Sequence, residues 1–352
     1  MKLGTGLFTA QRRPDDDRSM AAVYDEVRTL TREIEAAGLD SAWVSEHHFQ
    51  KDGYLSAPFP TLGAMAAESS SIELGTCIAL APLYDPVRLA EDAATLDLLS
   101  GGRSTLGMAI GSNPREFEQF GVPSDERVER LKDTMGLLRA AWSEGPLDYD
   151  ATFHDVDADV TITPKPERRL TLPDGDRQRS VPVMLGGAAK PAVRRAARTA
   201  DAWCAPSKLS VGGLKKRVAD IRTVREEEGL DGEFSVYLIK HGFVDDSRDA
   251  AWDAMQPGYF YIQRRYAEVF SGEPVESLGS ERKRELREQA VFGTPEQVVS
   301  ELETYREALA PIVDDLGGDL HMILRTYHPG IGTETMANAI RRLGADVAPE
   351  VR

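Results

Sequence analysis

The chain has little cysteine, little lysine and no long apolar segment. Its two cysteines, Cys77 and Cys204, both lie in apolar runs, and no histidine or cysteine spacing matches a metal motif. Neither a metal site nor a structural disulfide is therefore expected. No apolar run reaches the ~20 residues that span a bilayer, and no apolar segment of the signal-peptide kind follows Lys2. Both absences point to a cytoplasmic protein without a membrane partner. Only ten of the 42 basic residues are lysine, leaving 32 arginines, and 58 acidic residues bring the formal charge to −16. That sign argues against nucleic acid and anionic lipid as partners. An acidic, lysine-poor composition fits either a halophilic-type surface in a high-salt cytoplasm or a GC-rich genome that favours arginine codons.

What is present is a hydrophobic content of 41 % over 352 residues, enough for one large α/β barrel. Strand-like and helix-like patterns alternate. Lys2 to Phe8 reads as a strand, and Val23, Val27, Leu30, Ile34 and Ala37 then recur at helical spacing up to Gly38. The segment around Trp43 reads as the second strand, Pro58 to Ala67 as a helix, and Ile72 to Leu80 as a doubly buried strand. Asp85-Pro86 opens a helix that stops at Gly101-Gly102, Ser104 to Ile110 is a fourth strand, and a long helix is expected from Ser124 to Trp142. An excursion over residues 145–181 suggests short strands around Tyr149, Phe153, Val156, Val160 and Ile162. Further strands are read at Val183–Leu185, Ala202–Ala205, Phe234–Phe243 and Leu320–Leu324. A second enlargement spans residues 247–289, helical at both ends, and Thr294-Pro295 caps another helix. Eight strands in strand–helix order imply a (β/α)8 TIM barrel with insertions, one domain over residues 1–352. The rival is an open doubly wound sheet, but the first turn holds Thr9 to Arg13 in place of a glycine-rich phosphate loop.

In such a barrel, chemistry sits where the strands end. Strand two ends in Glu46-His47-His48, three titratable groups that are expensive to bury without a purpose. Adjacent residues on a strand face opposite ways, so His47 and His48 are expected to play different parts. Strand four ends at Gly111-Ser112-Asn113. Strand five ends at Gly186-Gly187, and in Met184-Leu185-Gly186-Gly187-Ala188-Ala189-Lys190-Pro191 it runs into a helix N-terminus, either a phosphate-holding turn or an ordinary tight turn. Cys77 reads as a small core residue, and Trp203 as core or as a cofactor platform. Tyr259, Phe260, Tyr261 and Tyr266 either line a pocket or pack the insertion itself. Arg325 either clamps an anion or makes a surface ion pair.

In order and spacing, several segments resemble the bacterial luciferase-like monooxygenase family: Glu46-His47-His48-Phe49, Pro86 to Asp92, Leu98 to Arg103, Gly107 to Gly111, Glu116-Phe117, Phe120 to Val122, Pro182 to Gly187 and Gly293 to Gln297. The resemblance covers nearly the whole chain. It implies a luciferase-like TIM barrel using reduced FMN and dioxygen, through a flavin C4a-peroxide, to oxidise a small organic substrate. It also implies a separate flavin reductase as partner and a homodimer. On the family pattern His47 is catalytic, and Thr76, Cys77, Gly111, Gly186, Gly187, Ala188, Ala189 and Trp203 surround the cofactor, with a non-prolyl cis peptide at Cys77–Ile78. Some branches use a deazaflavin coenzyme for reductase or dehydrogenase chemistry, and some relatives bind flavin without catalysis. Luciferase itself carries an arginine where Ile110 stands, and acidic and hydroxyl residues where Gly186 to Ala189 stand. Phosphate binding would then rest on backbone N–H groups, and a long-chain aldehyde substrate is not implied.

Overall fold

The computed structural model describes residues 1–157 and 159–352. Its strands are β1 (Lys2–Phe8), β2 (Ser41–Val44), β3 (Glu73–Thr76), β4 (Ala79–Leu80), β5 (Ser104–Ala109), β6 (Arg169–Thr171), β7 (Arg177–Arg179), β8 (Val183–Gly186), β9 (Ala202–Ala205), β10 (Phe234–Val244), β11 (Val291–Gly293) and β12 (Gly317–Arg325). The helices are α1 (Met20–Ala36), α2 (Pro58–Ala67), α3 (Pro86–Ser100), α4 (Pro114–Phe120), α5 (Arg127–Trp142), α6 (Lys190–Thr199), α7 (Val211–Glu228), α8 (Arg248–Ser271), α9 (Ser280–Gln289), α10 (Pro295–Asp314), α11 (Thr333–Arg342) and α12 (Ala348–Val351).

Parallel pairing runs β12-β1-β2-β3-β5-β8-β9, and β10 pairs with both β9 and β12, closing the cylinder. This is the eight-stranded (β/α)8 barrel, with β4 continuing the β3 stave and β11 added beside the end of β10. Local chemistry explains most boundaries. Ser19 caps α1 by accepting from Ala22 N (3.2 Å), and Val23, Val27, Leu30 and Ile34 bury one stripe. Asp85 accepts from Arg88 N (3.0 Å) with Pro86 in the first turn of α3, and Gly101 ends it at φ +68°. Thr294 and Gln297 form a reciprocal capping box on α10.

Three expectations need correction. The run Ile72–Leu80 is not one strand: a cis peptide at Cys77–Ile78 divides it into β3 and β4. The helix expected from Ser124 begins at Arg127, and a separate α4 precedes it, capped by Asn113 and ended by Gly121 at φ +68°. The short strands expected around Tyr149 to Ile162 do not form among the described residues. There the Asp133 carboxylate of α5 takes the backbone N–H groups of Thr152 (2.9 Å) and Phe153 (3.1 Å), so a side chain replaces a strand partner. The excursion's ladder is the antiparallel β6–β7 hairpin.

Two apolar layers result. The larger lies between strands and helices. The smaller fills the cylinder with Leu7, Trp43, Cys77, Met184, Cys204, Tyr237 and Ile323. Because side chains alternate, the inward residues of each strand also name what reaches the mouth.

Candidate active site

His47 lies just past β2, on the C-terminal rim. Its Nδ1 lies 2.9 Å from Glu116 Oε1, and the same oxygen accepts from His48 N (2.9 Å). Glu116 is fully buried in α4. Burial pushes its carboxyl upward, but the hydrogen bonds and charge of His47 and His48 outweigh this and hold it below the ordinary carboxylate range. An anionic Glu116 can only accept, so Nδ1 of His47 carries a hydrogen and Nε2 is the ring nitrogen that Glu116 does not hold. His48 plays the other part: its Nε2 meets Glu46 Oε1 (2.6 Å), whose second oxygen accepts from Leu80 N (2.9 Å). That pair ties the end of β2 to β4.

The insertion helix α8 roofs this corner. Tyr266 and Tyr54 share a hydroxyl hydrogen bond of 2.9 Å, and both rings stand edge-on to His47 at 5.8 and 4.9 Å. Asp52 anchors the roof by accepting from Gln11 Nε2 and the Tyr261 hydroxyl, each at 2.8 Å. Beside His47 a cavity of about 10 Å³ remains, lined by Gln11, Tyr54, Ile262 and Tyr266 among others. That is room for about one water. The four aromatics of the insertion therefore divide their roles. Tyr266 lines the cavity and Tyr259 stacks on His241 at 4.2 Å, whereas Phe260 packs against Trp252.

The residues expected around a cofactor distribute unevenly. Cys77 points into the barrel with Sγ 3.6 Å from Cys204 Sγ, and the peptide that follows it is cis, as the resemblance implies. Ile78 then reaches Gly186: a Cβ there would stand 2.2 Å from Ile78 Cδ1. Gly187 has φ +146°, and no side chain caps the first turn of α6 after Ala188 and Ala189. Pro191 has no N–H and Ala192 N donates to the Ala189 carbonyl (2.9 Å), so the donors left for a phosphate are the N–H groups of Ala188, Ala189 and Lys190. Gly111 sits at φ +71° under the Phe117 ring. Thr76 faces the other way and donates from Oγ1 to the Gly107 carbonyl (2.7 Å). Trp203 also differs from expectation. Its neighbours Ala202 and Cys204 face inward, so alternation turns it outward into the helix-facing core, and its Nε1 donates to the Gly187 carbonyl (2.8 Å). It braces the turn and presents no ring face to the mouth. His47, the cis peptide and the Gly186-Gly187 corner thus share one rim.

Sequence reasoning missed Glu116 as the partner of His47, although it stands in a quoted motif. Its signal was a lone acid in a proline-started, asparagine-capped helix, which does not name its partner.

The family model for luciferase-like monooxygenases matches residues 1–311. The oxygenase component of flavin-dependent trigonelline monooxygenase from Acinetobacter baylyi is 22 % identical over 315 residues, 85 % of this chain and 84 % of that protein. Among solved structures, the oxygenating constituent of 3,6-diketocamphane monooxygenase from Pseudomonas putida, in complex with FMN, superposes with a TM-score of 0.76 at 18 % identity, covering 100 % of this chain and 99 % of that one. The coenzyme F420-dependent tetrahydromethanopterin reductase of Methanopyrus kandleri superposes with a TM-score of 0.66 at 17 % identity, covering 100 % and 99 %. The structural likenesses establish the fold, which serves flavin and deazaflavin enzymes alike. The family match extends over most of the chain and carries the assignment further: this protein belongs to the luciferase-like monooxygenase family.

Proposed function

We propose that the protein is the oxygenase of a two-component monooxygenase, taking reduced FMN from a separate reductase and oxidising a small organic substrate. The observation that carries this reading is the His47–Glu116 pair, held at the rim that also bears the Cys77–Ile78 cis peptide and the Gly186-Gly187 turn. The residues present fit the group. Ile78 and Ala192 pack where side chains on Gly186 and Gly187 would stand, and the N–H groups of Ala188, Ala189 and Lys190, without a backbone partner among the described residues, supply donors for a phosphate. The relative described as an oxygenase component supports a reductase partner.

When bound, reduced FMN supplies the activation of dioxygen. The protein's own contributions are local. The backbone at Gly186 to Ala189 binds the phosphate end, with Trp203 fixing the Gly187 carbonyl. The wall formed by Cys77, Ile78 and Gly111 orients the flat ring. His47 Nε2 accepts and returns a proton at the reacting end, while Glu116 fixes its tautomer as a positioning residue. Tyr54, Tyr266 and α8 exclude water from His47. With about 10 Å³ open beside His47, α8 has to withdraw to admit a substrate.

The test is an anaerobic titration of the protein with reduced FMN and with reduced F420, followed by admission of oxygen. Tighter binding of reduced FMN and an oxygen-dependent absorbance change in the bound flavin are expected. Tighter binding of the deazaflavin overturns the assignment in favour of hydride transfer, and binding of neither removes the coenzyme reading.

A further inference from the structure

Arg325 ends β12 with its side chain turned into the barrel. Ile323 points inward on the same strand and His321 stacks on inward-facing Tyr237, so alternation sends Arg325 the same way. In the β10–β12 ladder His241 stands directly beside it. The residue is 2 % exposed. Its Nε donates to the Tyr327 carbonyl (3.0 Å) and one Nη to Thr9 Oγ1 (3.3 Å). Other arginines meet acids, as in Arg139–Asp201 and Arg194–Asp220, and buried Arg225 instead donates to three carbonyls, of Ala197, Asp231 and Gly232, whereas Arg325 reaches one carbonyl and one hydroxyl. Among the described residues no carboxylate comes within 4.0 Å of Arg325.

A buried cation without a counter-charge is costly. A guanidinium is also the side chain best shaped to grip a planar oxyanion through parallel hydrogen bonds. The neighbouring imidazoles add no second cation. His328 Nδ1 faces the Thr326 carbonyl (3.2 Å) and so carries a hydrogen, leaving Nε2 to accept from His241 Nδ1 (3.1 Å). Burial first, and then the charge of Arg325, holds both rings below the ordinary imidazole range. The positive charge of this corner is therefore Arg325 itself, with His241 Nε2 as a neutral acceptor beside it. A short backbone ladder links this corner to His47: Leu55 N donates to the Thr9 carbonyl (2.7 Å), and His47 N donates to the Leu55 carbonyl (3.1 Å).

We infer that Arg325, with Thr9 beside it, binds the carboxylate or sulfonate of an organic-acid substrate in the mouth that His47 lines. The assignment rests on the monooxygenase reading for what happens to that acid, but not for its binding.

Acetate, benzoate, cyclohexanecarboxylate and benzenesulfonate are titrated into the protein, free and with reduced FMN under anaerobic conditions, alongside the amide of each. At least one acid binds about tenfold more tightly than its amide, the preference expected of a charge-assisted contact. Whether a carboxylate or the sulfonate ranks first names the anion. Arg325→Met abolishes the preference, leaves amide binding as it was, and melts at a higher temperature than wild type without ligand, because an uncompensated buried charge is gone. Absence of any acid preference in the wild type overturns the inference, as does its survival in Arg325→Met, a lower melting temperature, or a variant that loses reduced FMN instead. Failure of reduced FMN to bind the wild type strikes only the monooxygenase reading, since the titration of the free protein stands apart from it.

Discussion

The two ends of the barrel use the same strands for opposite purposes. Four residues before His241 on β10, Tyr237 stacks on His321 at 4.0 Å, and His321 stands four residues before Arg325 on β12. At that lower end an acid gathers the polar groups, although His321 Nδ1 makes no hydrogen bond among the described residues. Glu73 accepts from the Tyr237 hydroxyl (2.9 Å) and from Thr105 Oγ1 (2.5 Å), and its second oxygen lies 3.8 Å from His321. At the mouth, Arg325 has no acid within 4.0 Å among the described residues, and His47 lines a cavity that α8 roofs. The same alternation that gathers groups around Glu73 at the base brings Arg325 and His47 to the rim. A polar group whose partners are complete stabilises, and one whose partner is missing is available for a ligand.

Substitutions at the two ends should separate along that line. At the rim, His47→Gln is expected to lower kcat ~10²–10⁴-fold on any substrate the wild type turns over, with reduced FMN binding little changed. Glu116→Gln should lower kcat ~10–100-fold at similar KM. Steady-state kinetics with anaerobic flavin titration checks both. At the base, Glu73→Leu strands the Tyr237 and Thr105 hydroxyls and is expected to cost about 2–4 kcal/mol in urea unfolding, with kcat unaltered in the folded enzyme. An equal loss of activity there would erase the distinction between the ends.

Acid loads both ends, since burial also holds His321 below the ordinary imidazole range. Burial and the charge of Arg325 bring His328 down from 6.5 to about 3. A folded pKa depressed in this way leaves stability intact above 6.5 and removes it as pH falls toward 3, because the unfolded chain takes up a proton that the native one refuses. Between pH 6.5 and about pH 5 the loss is about 2 kcal/mol. His328→Gln should flatten that slope in urea unfolding at the two pH values. The smallest effect concerns the roof. Tyr266→Phe removes the hydroxyl bond to Tyr54 and should cost about 1 kcal/mol. It should also speed substrate entry, measured by stopped-flow binding, if α8 gates the cavity.

Much of the fold was legible because its signals are local. Ser19, Asp85 and Thr294 mark helix starts by offering an oxygen to nearby N–H groups, and Gly38 and Gly101 mark ends that need positive φ. The strand runs gave the order of the staves. Tyr149 to Ile162 misled because alternation describes a half-buried chain without saying what takes its hydrogen bonds, and there Asp133 does. Trp203 misled in a related way. A large aromatic at a strand end reads as a platform, yet a one-residue change of parity puts it on the helix side.

The amino-acid sequence by itself determined the barrel, the family resemblance, the place of His47 and the turn at Gly186-Gly187, since each is written in a short segment. Only the tertiary structure decided that Glu116, 69 residues away, meets His47, and that Arg325 is buried without an acid among the described residues while α8 roofs the mouth. Those facts arise when the cylinder closes and distant loops meet, and the partner that a side chain finds, or fails to find, across that closure has no signature along the chain.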